Sequence, residues 1–152
     1  MTAHYFVSAA FIPLLSRGTA NTHGYSASIV NVASISGSLR VSPSGEFAYA
    51  ASKAAMLHLS KLLGTALAQA KIRVNTISPG IFPSEMTAAG SDEANKSRLV
   101  EKGKSLPAGR SGDDGDMAAA ILYLVGPNSN FLNGQVLLPD GGECRVRLQR
   151  EH

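Results

Sequence analysis

A chain of 152 residues with 44% hydrophobic and 16% charged content can bury one core, which excludes an intrinsically disordered protein and points to one globular unit. The formal charge of +3 and the pI near 9.2 come from basic residues scattered between Arg17 and Arg150, with no run and no aromatic interleaving, which argues against nucleic acid as a partner. Cys144 is the single cysteine and His4, His23, His58 and His152 lack ligand spacing, so no disulfide within the chain and no metal site is expected, and a reducing, cytoplasmic setting fits.

The apolar stretch from Ala3 to Leu15 is too short to span a bilayer and has no Lys or Arg before it. A core helix is therefore expected there, and no membrane partner. Tyr5, Phe6, Ala9, Ala10 and Ile12 recur at helical spacing, while Pro13 and then Gly18 predict where that helix bends and stops. Arg17 to Ser26 reads as a surface loop, and Ser28 to Ala33, β-branched and apolar on both faces, as a strand inside a parallel sheet. Phe47 to Ala70 is free of proline and carries an apolar stripe of Ala51, Ala54, Ala55, Leu59, Leu62, Leu63 and Leu67, which predicts a long helix.

Ile72 to Ile77 is the second predicted strand, stopped by Ser78-Pro79-Gly80. The polar stretch from Ile81 to Gly109 reads as irregular, with a helix near Glu93 to Lys102. Asp113 or Asp116 can cap a helix running to about Val125, and Gly134 to Leu138 is the third strand, closed by Pro139-Asp140-Gly141-Gly142. The body is thus 1–142, and 143–152 is a charged tail. Strands alternating with helices predict an α/β fold, a doubly wound parallel sheet of about three strands with covering helices. So narrow a sheet leaves a long edge bare, which points to something absent at the amino end.

The chemistry-bearing residues are Ser34, just past the first strand, and the pair Tyr49 and Lys53, four apart and so on one face of the long helix. A phenol titrates near 10, and an ammonium about 4 Å away at an effective dielectric near 20 contributes roughly 4 kcal/mol, enough to bring it toward neutrality. Ser34, at a strand end, can donate a hydrogen bond to a carbonyl oxygen. A hydrolase built on Ser34 is disfavoured, because there is no G-x-S-x-G turn and no His and acid to serve it.

Four strings in order resemble the short-chain dehydrogenase/reductase family: Ile29-Val30-Asn31-Val32-Ala33-Ser34-Ile35-Ser36-Gly37, Tyr49-Ala50-Ala51-Ser52-Lys53-Ala54-Ala55, Ile72-Arg73-Val74-Asn75-Thr76-Ile77-Ser78-Pro79-Gly80, and Gly134 to Gly142. The resemblance implies a Rossmann-type sheet and an oxidoreductase interconverting a small-molecule alcohol and carbonyl with NAD or NADP. Tyr49 then matches the catalytic acid/base, Lys53 the lysine that lowers its pKa and holds the nicotinamide ribose, and Ser34 the serine that polarises the carbonyl, with Ser36 as runner-up. Pro79, Gly80 and Ile81 match the turn that meets the nicotinamide carboxamide, and Ser84 a residue that contacts the cofactor. Pro83 to Leu106 corresponds to the variable substrate lid.

The family's glycine-rich turn, its Asn-Ala-Gly string and its helix asparagine are not found, so the chain resembles the carboxyl-terminal half of a truncated Rossmann-type fold. Little activity alone is the expectation, with a non-catalytic dimerising or binding module as the alternative. The helices over 3–15 and 47–70 match the two that family members bury against a partner subunit, which implies a homo-oligomer.

Overall fold

The computed structural model describes residues 2–40, 45–83 and 101–144. Strands β1 (Ser28–Val32), β2 (Arg73–Ile77) and β3 (Val136–Leu137) form a parallel sheet in the order β1-β2-β3. The helices are α1 (Thr2–Asn21), α2 (Phe47–Ala66) and α3 (Asp114–Val125). Residues 101–104 are also helical; the rest of the helix expected from Glu93 lies outside the described residues, as do Ser84 and the tail from Arg145. Glu143 and Cys144 are buried, so the charged stretch does not begin as a solvated tail at 143.

β1 and β2 pair from Ser28 opposite Arg73 to Val32 opposite Ile77, and their side chains alternate between two covered faces. Toward α3, Ser28 Oγ donates to the Leu124 carbonyl at 3.2 Å, and Val30 and Ile77 pack with Ala120 and Leu124. Toward α2, Asn31 Nδ2 donates to Ser60 Oγ at 2.9 Å. Coverage on both faces is why these strands are apolar throughout rather than alternating. Both crossovers step the same way across the sheet while α2 and α3 lie on opposite faces. They therefore have opposite hands, and one departs from the right-handed rule.

β3 is only two residues long because asparagine side chains take over the ladder below it. Asn133 Oδ1 accepts from Val74 N at 2.9 Å, while Asn75 Oδ1 accepts from Gln135 N at 3.0 Å and its Nδ2 donates to the Leu132 carbonyl at 3.0 Å.

Three sequence expectations change. α1 continues through Pro13 and Gly18 to Asn21, so 17–21 are helix and the loop is shorter. Its last turn is pinned from outside: Thr19 Oγ1 donates to the Lys71 carbonyl at 3.3 Å and accepts from Ala27 N at 3.0 Å, which outweighs the two helix-weakening residues. Nor is α1 a core helix, since Ser8 is its only buried residue and Phe6, Phe11 and Leu14 are more than half exposed. On α2 the buried seam is Met56, Ser60 and Gly64; Ala55, Leu59, Leu63 and Leu67 of the expected stripe are half-buried, whereas Ala51, Ala54 and Leu62 are exposed. Small side chains win the seam because α2 lies close to the loop before β3, where a Cβ on Gly64 would come 3.0 Å from Asn133 Oδ1.

The α3 face is fastened by a buried cation. Arg73 is 4% exposed, and its guanidinium donates to the carbonyls of Ser26, Leu124 and Ser129 and to Ser129 Oγ, at 3.0 to 3.2 Å. The Leu124 carbonyl belongs to the last turn of α3, the negative end of the helix dipole. Burial pushes the guanidinium below its ordinary pKa, opposed by the nearby Tyr25. Arg73→Met keeps the apolar stem and removes the guanidinium hydrogen bonds, so unfolding in urea should show a loss of about 3 kcal/mol with an unchanged slope.

At its other end α3 begins in a capping box, with Asp113 as N-cap accepting from Asp116 N and the Asp116 carboxylate accepting from Asp113 N, both at 3.0 Å. Arg110 also grips Asp116 with two nitrogens, at 2.6 and 2.9 Å. That hydrogen bonding, first from Arg110 and then from the Asp113 backbone, draws the Asp116 pKa down to about 2. A lowered folded-state pKa stabilises above the unfolded value and is lost as pH falls through the folded one. Asp116→Asn should therefore lower the melting temperature at pH 6 and leave it nearly unchanged at pH 2.

Candidate active site

The carboxyl ends of the three strands bring most of the candidate residues to one rim of the sheet. Backbone pairing runs past β1 and β2: Ala33 N donates to the Ile77 carbonyl at 2.8 Å, and Ile35 N to the Pro79 carbonyl at 3.1 Å. Gly80 N then donates to the Pro139 carbonyl at 3.1 Å, and Gly112 N to the Ile81 carbonyl at 2.9 Å. The turns after all three strands are thereby laced together, with the Ser34 turn beside Pro79-Gly80. Gly80 is required for this, because a Cβ there would meet the Cα of Asp140 at 2.8 Å.

Ser34 is the N-cap of a 3-10 turn over Ile35–Gly37, and its Oγ accepts from Ser36 N at 3.2 Å. With that lone pair engaged by the backbone, its hydroxyl proton is available to another acceptor. Ser36 lies inside the same turn. The turn sits on α2, since a Cβ on Gly37 would fall 2.6 Å from both Ala54 N and the Lys53 carbonyl carbon. Glycine therefore lets the Ser34 turn touch the backbone of the helix that carries Tyr49 and Lys53.

Tyr49 and Lys53 occupy the first two turns of α2 and are half-buried. The Lys53 ammonium lies over the Tyr49 ring, 5.5 Å from its centroid, and reaches the Val32 carbonyl at 3.5 Å. It faces the π surface, a favourable cation–π placement. The ammonium and the phenol ring are thus adjacent, as their spacing four apart on one helix requires. Ser34, Tyr49, Lys53, Pro79, Gly80 and Ile81 thus share one end of the sheet, and Ser84 lies outside the described residues. A recess of about 250 Å³ beside them is lined by Ile81, Phe82, Gly112, Pro139 and Asp140 among others.

Residues 1–143 match the family described as enoyl-(acyl carrier protein) reductase. A short-chain dehydrogenase/reductase of Diaporthe leptostromiformis, PhomF′, is 38% identical over 143 residues, covering 93% of this chain and 49% of the relative. The chain belongs to the short-chain dehydrogenase/reductase family. A 3-oxoacyl-acyl-carrier-protein reductase, FabG of Chlamydia muridarum, is 42% identical over 117 residues, covering 77% of this chain and 45% of its own length. Among solved structures, the Pseudomonas aeruginosa RhlG/NADP active-site complex matches with a TM-score of 0.75 and 34% identity, over 88% of this chain and 50% of that one. The chain spans about half the length of these relatives. Among the described residues no helix is long and apolar enough to cross a membrane.

The donor set fits the nicotinamide end of a dinucleotide, since an ammonium, a phenol and the turn at Pro79–Ile81 stand at the strand ends where ligands gather in open α/β sheets. No glycine-rich turn between a strand and a helix, the usual pyrophosphate cradle, occurs among the described residues.

The sequence reading passed over Asn31 and Ser60, which join β1 to α2, although a lone Asn between Val30 and Val32 in an otherwise apolar strand was a usable signal. Gly37→Ala tests the approach of the Ser34 turn to α2. The added methyl meets backbone that cannot give, so about 1–3 kcal/mol should be lost in chemical denaturation and the Ser36 amide should exchange faster.

Proposed function

We propose that this chain supplies the proton-transferring half of a nicotinamide-dependent oxidoreductase that interconverts a small-molecule alcohol and carbonyl, and that it has little activity by itself. The observation that carries the reading is the gathering of the Ser34 turn, the Tyr49–Lys53 pair and the Pro79–Ile81 turn at one rim of the sheet. The names of FabG, a ketoacyl reductase, and of the RhlG complex with NADP support the reaction class.

In this reading Ser34 donates its hydroxyl proton as a hydrogen bond to the substrate carbonyl oxygen, while the Tyr49 hydroxyl passes its proton to that oxygen as charge develops there. Lys53 stabilises the resulting phenolate and binds the ribose, Pro79, Gly80 and Ile81 meet the carboxamide, and Ser84 contacts the cofactor. NAD or NADP, when bound, supplies the hydride for reduction or accepts it for oxidation. Hydride transfer needs near-attack geometry, and ribose and carboxamide contacts without a pyrophosphate cradle hold the dinucleotide weakly.

A second reading, a non-catalytic dimerising module, draws on α1, whose Tyr5, Phe6, Phe11 and Leu14 are exposed. Self-association through the helices over 3–15 and 47–70 serves either reading, and a cytoplasmic location fits both. The purified chain mixed with NADPH or NADH and a panel of ketones should consume no cofactor above background. Joined to the part of the Diaporthe relative outside the match, it should gain turnover, and Tyr49→Phe should then cut kcat by about 10²–10⁴-fold. Full activity in that variant would sink the catalytic reading, and activity in the chain alone would sink the dependence on the remainder of the fold.

A further inference from the structure

We infer that Asn31 and Ser60 are positioning residues for the Tyr49–Lys53 pair, their hydrogen bond setting the height and rotation of α2 on the sheet. The importance of that setting to chemistry rests on the proposed function.

The two side chains are 5% and 2% exposed, and the Asn31 amide donates to the Ser60 hydroxyl oxygen at 2.9 Å. That hydroxyl's own proton is spent inside the helix, on the Met56 carbonyl at 2.9 Å. Ser60 can therefore only accept, and Asn31 can only donate, which gives the contact one direction and one geometry. Apolar packing lacks this property. The seam of α2 is Met56, Ser60 and Gly64, with a single large side chain, so shape alone offers little resistance to sliding along the sheet. Shifting the helix by one residue, about 1.5 Å, breaks the bond and leaves the buried Asn31 amide without this acceptor, while the Ser60 hydroxyl keeps only its bond to Met56 within the helix.

The placement of the pair matters as much as its strength. Ser60 is seven residues from Lys53, nearly two helical turns, and so on the same face. Asn31 immediately precedes Val32, the residue whose carbonyl the Lys53 ammonium reaches. Gly37 fixes the other side, its turn resting on the backbone at Lys53 and Ala54. The catalytic helix is thus held at two points that bracket the strand end. One of them is a directional polar contact in a place where an aliphatic pair would bury as easily.

The experiment is NMR on the intact chain, reading the upfield ring-current shift that the Tyr49 ring imposes on the Lys53 ε-methylene protons. Ser60→Ala and Asn31→Ala should each reduce that shift by half or more. The double variant should match the singles, because the two residues act through one bond. Leu124→Val, on the opposite face, should lower the melting temperature and leave the Lys53 signal in place, which separates positioning from general stability. A Lys53 shift unchanged in folded Ser60→Ala, or additive losses in the double variant, overturns the inference; if Asn31→Ala does not fold, Ser60→Ala alone decides. Because the readout is a proton shift and not turnover, failure of the catalytic reading leaves this test intact.

Discussion

Parallel pairing of β1 with β2 determines where the candidate side chains emerge. Five residue pairs in register, continued by Ala33 onto Ile77 and Ile35 onto Pro79, bring two strand ends to the same level. Parallel strands carry no hairpin at that level, so each must turn away into a helix, and the turns are forced side by side. Ser34 stands in one of them and Gly80 in the other. The lysine on α2 joins them only because the Ser34 turn contains a glycine small enough to touch the helix backbone.

Two kinds of force then hold the helices against this sheet. The α3 face combines an aliphatic cluster of Ile77, Ala120 and Leu124 with the carbonyl-bound guanidinium of Arg73. The α2 face has smaller side chains and a polar contact between Asn31 and Ser60. Both faces therefore combine packing with directional polar contacts, several on the α3 face through Arg73 and Ser28 and one between Asn31 and Ser60 on the α2 face.

Much of this was legible in the sequence. The strands were readable because both faces are covered, leaving near-continuous β-branched runs, and the Asp113–Asp116 cap was readable because a capping box is local. The strings were legible as a resemblance, and Ser34, Tyr49, Lys53, Pro79, Gly80 and Ile81 lie at one end of the sheet. What was not legible depends on distant partners. Pro13 and Gly18 argue for a stop, and α1 runs on because Thr19 finds the Lys71 carbonyl, 52 residues away in sequence. The apolar stripe of α2 was legible in part: Ala55, Leu59, Leu63 and Leu67 are half-buried, while Leu62 faces outward because the helix packs on a seam of Met56, Ser60 and Gly64. The contact of the Lys53 ammonium with the Val32 carbonyl joins α2 to another element, which no helical spacing encodes.

The alignment of strand ends is the claim on which the site depends, and native-state amide hydrogen exchange at Ala33 and Ile35 tests it directly. Both amides should be protected to within about tenfold of those inside β2, because each is closed by a carbonyl of the neighbouring strand end. Exchange at the rate of an open peptide at these two positions would mean that the turns are not joined, and that Ser34, Tyr49 and Lys53 do not share a site.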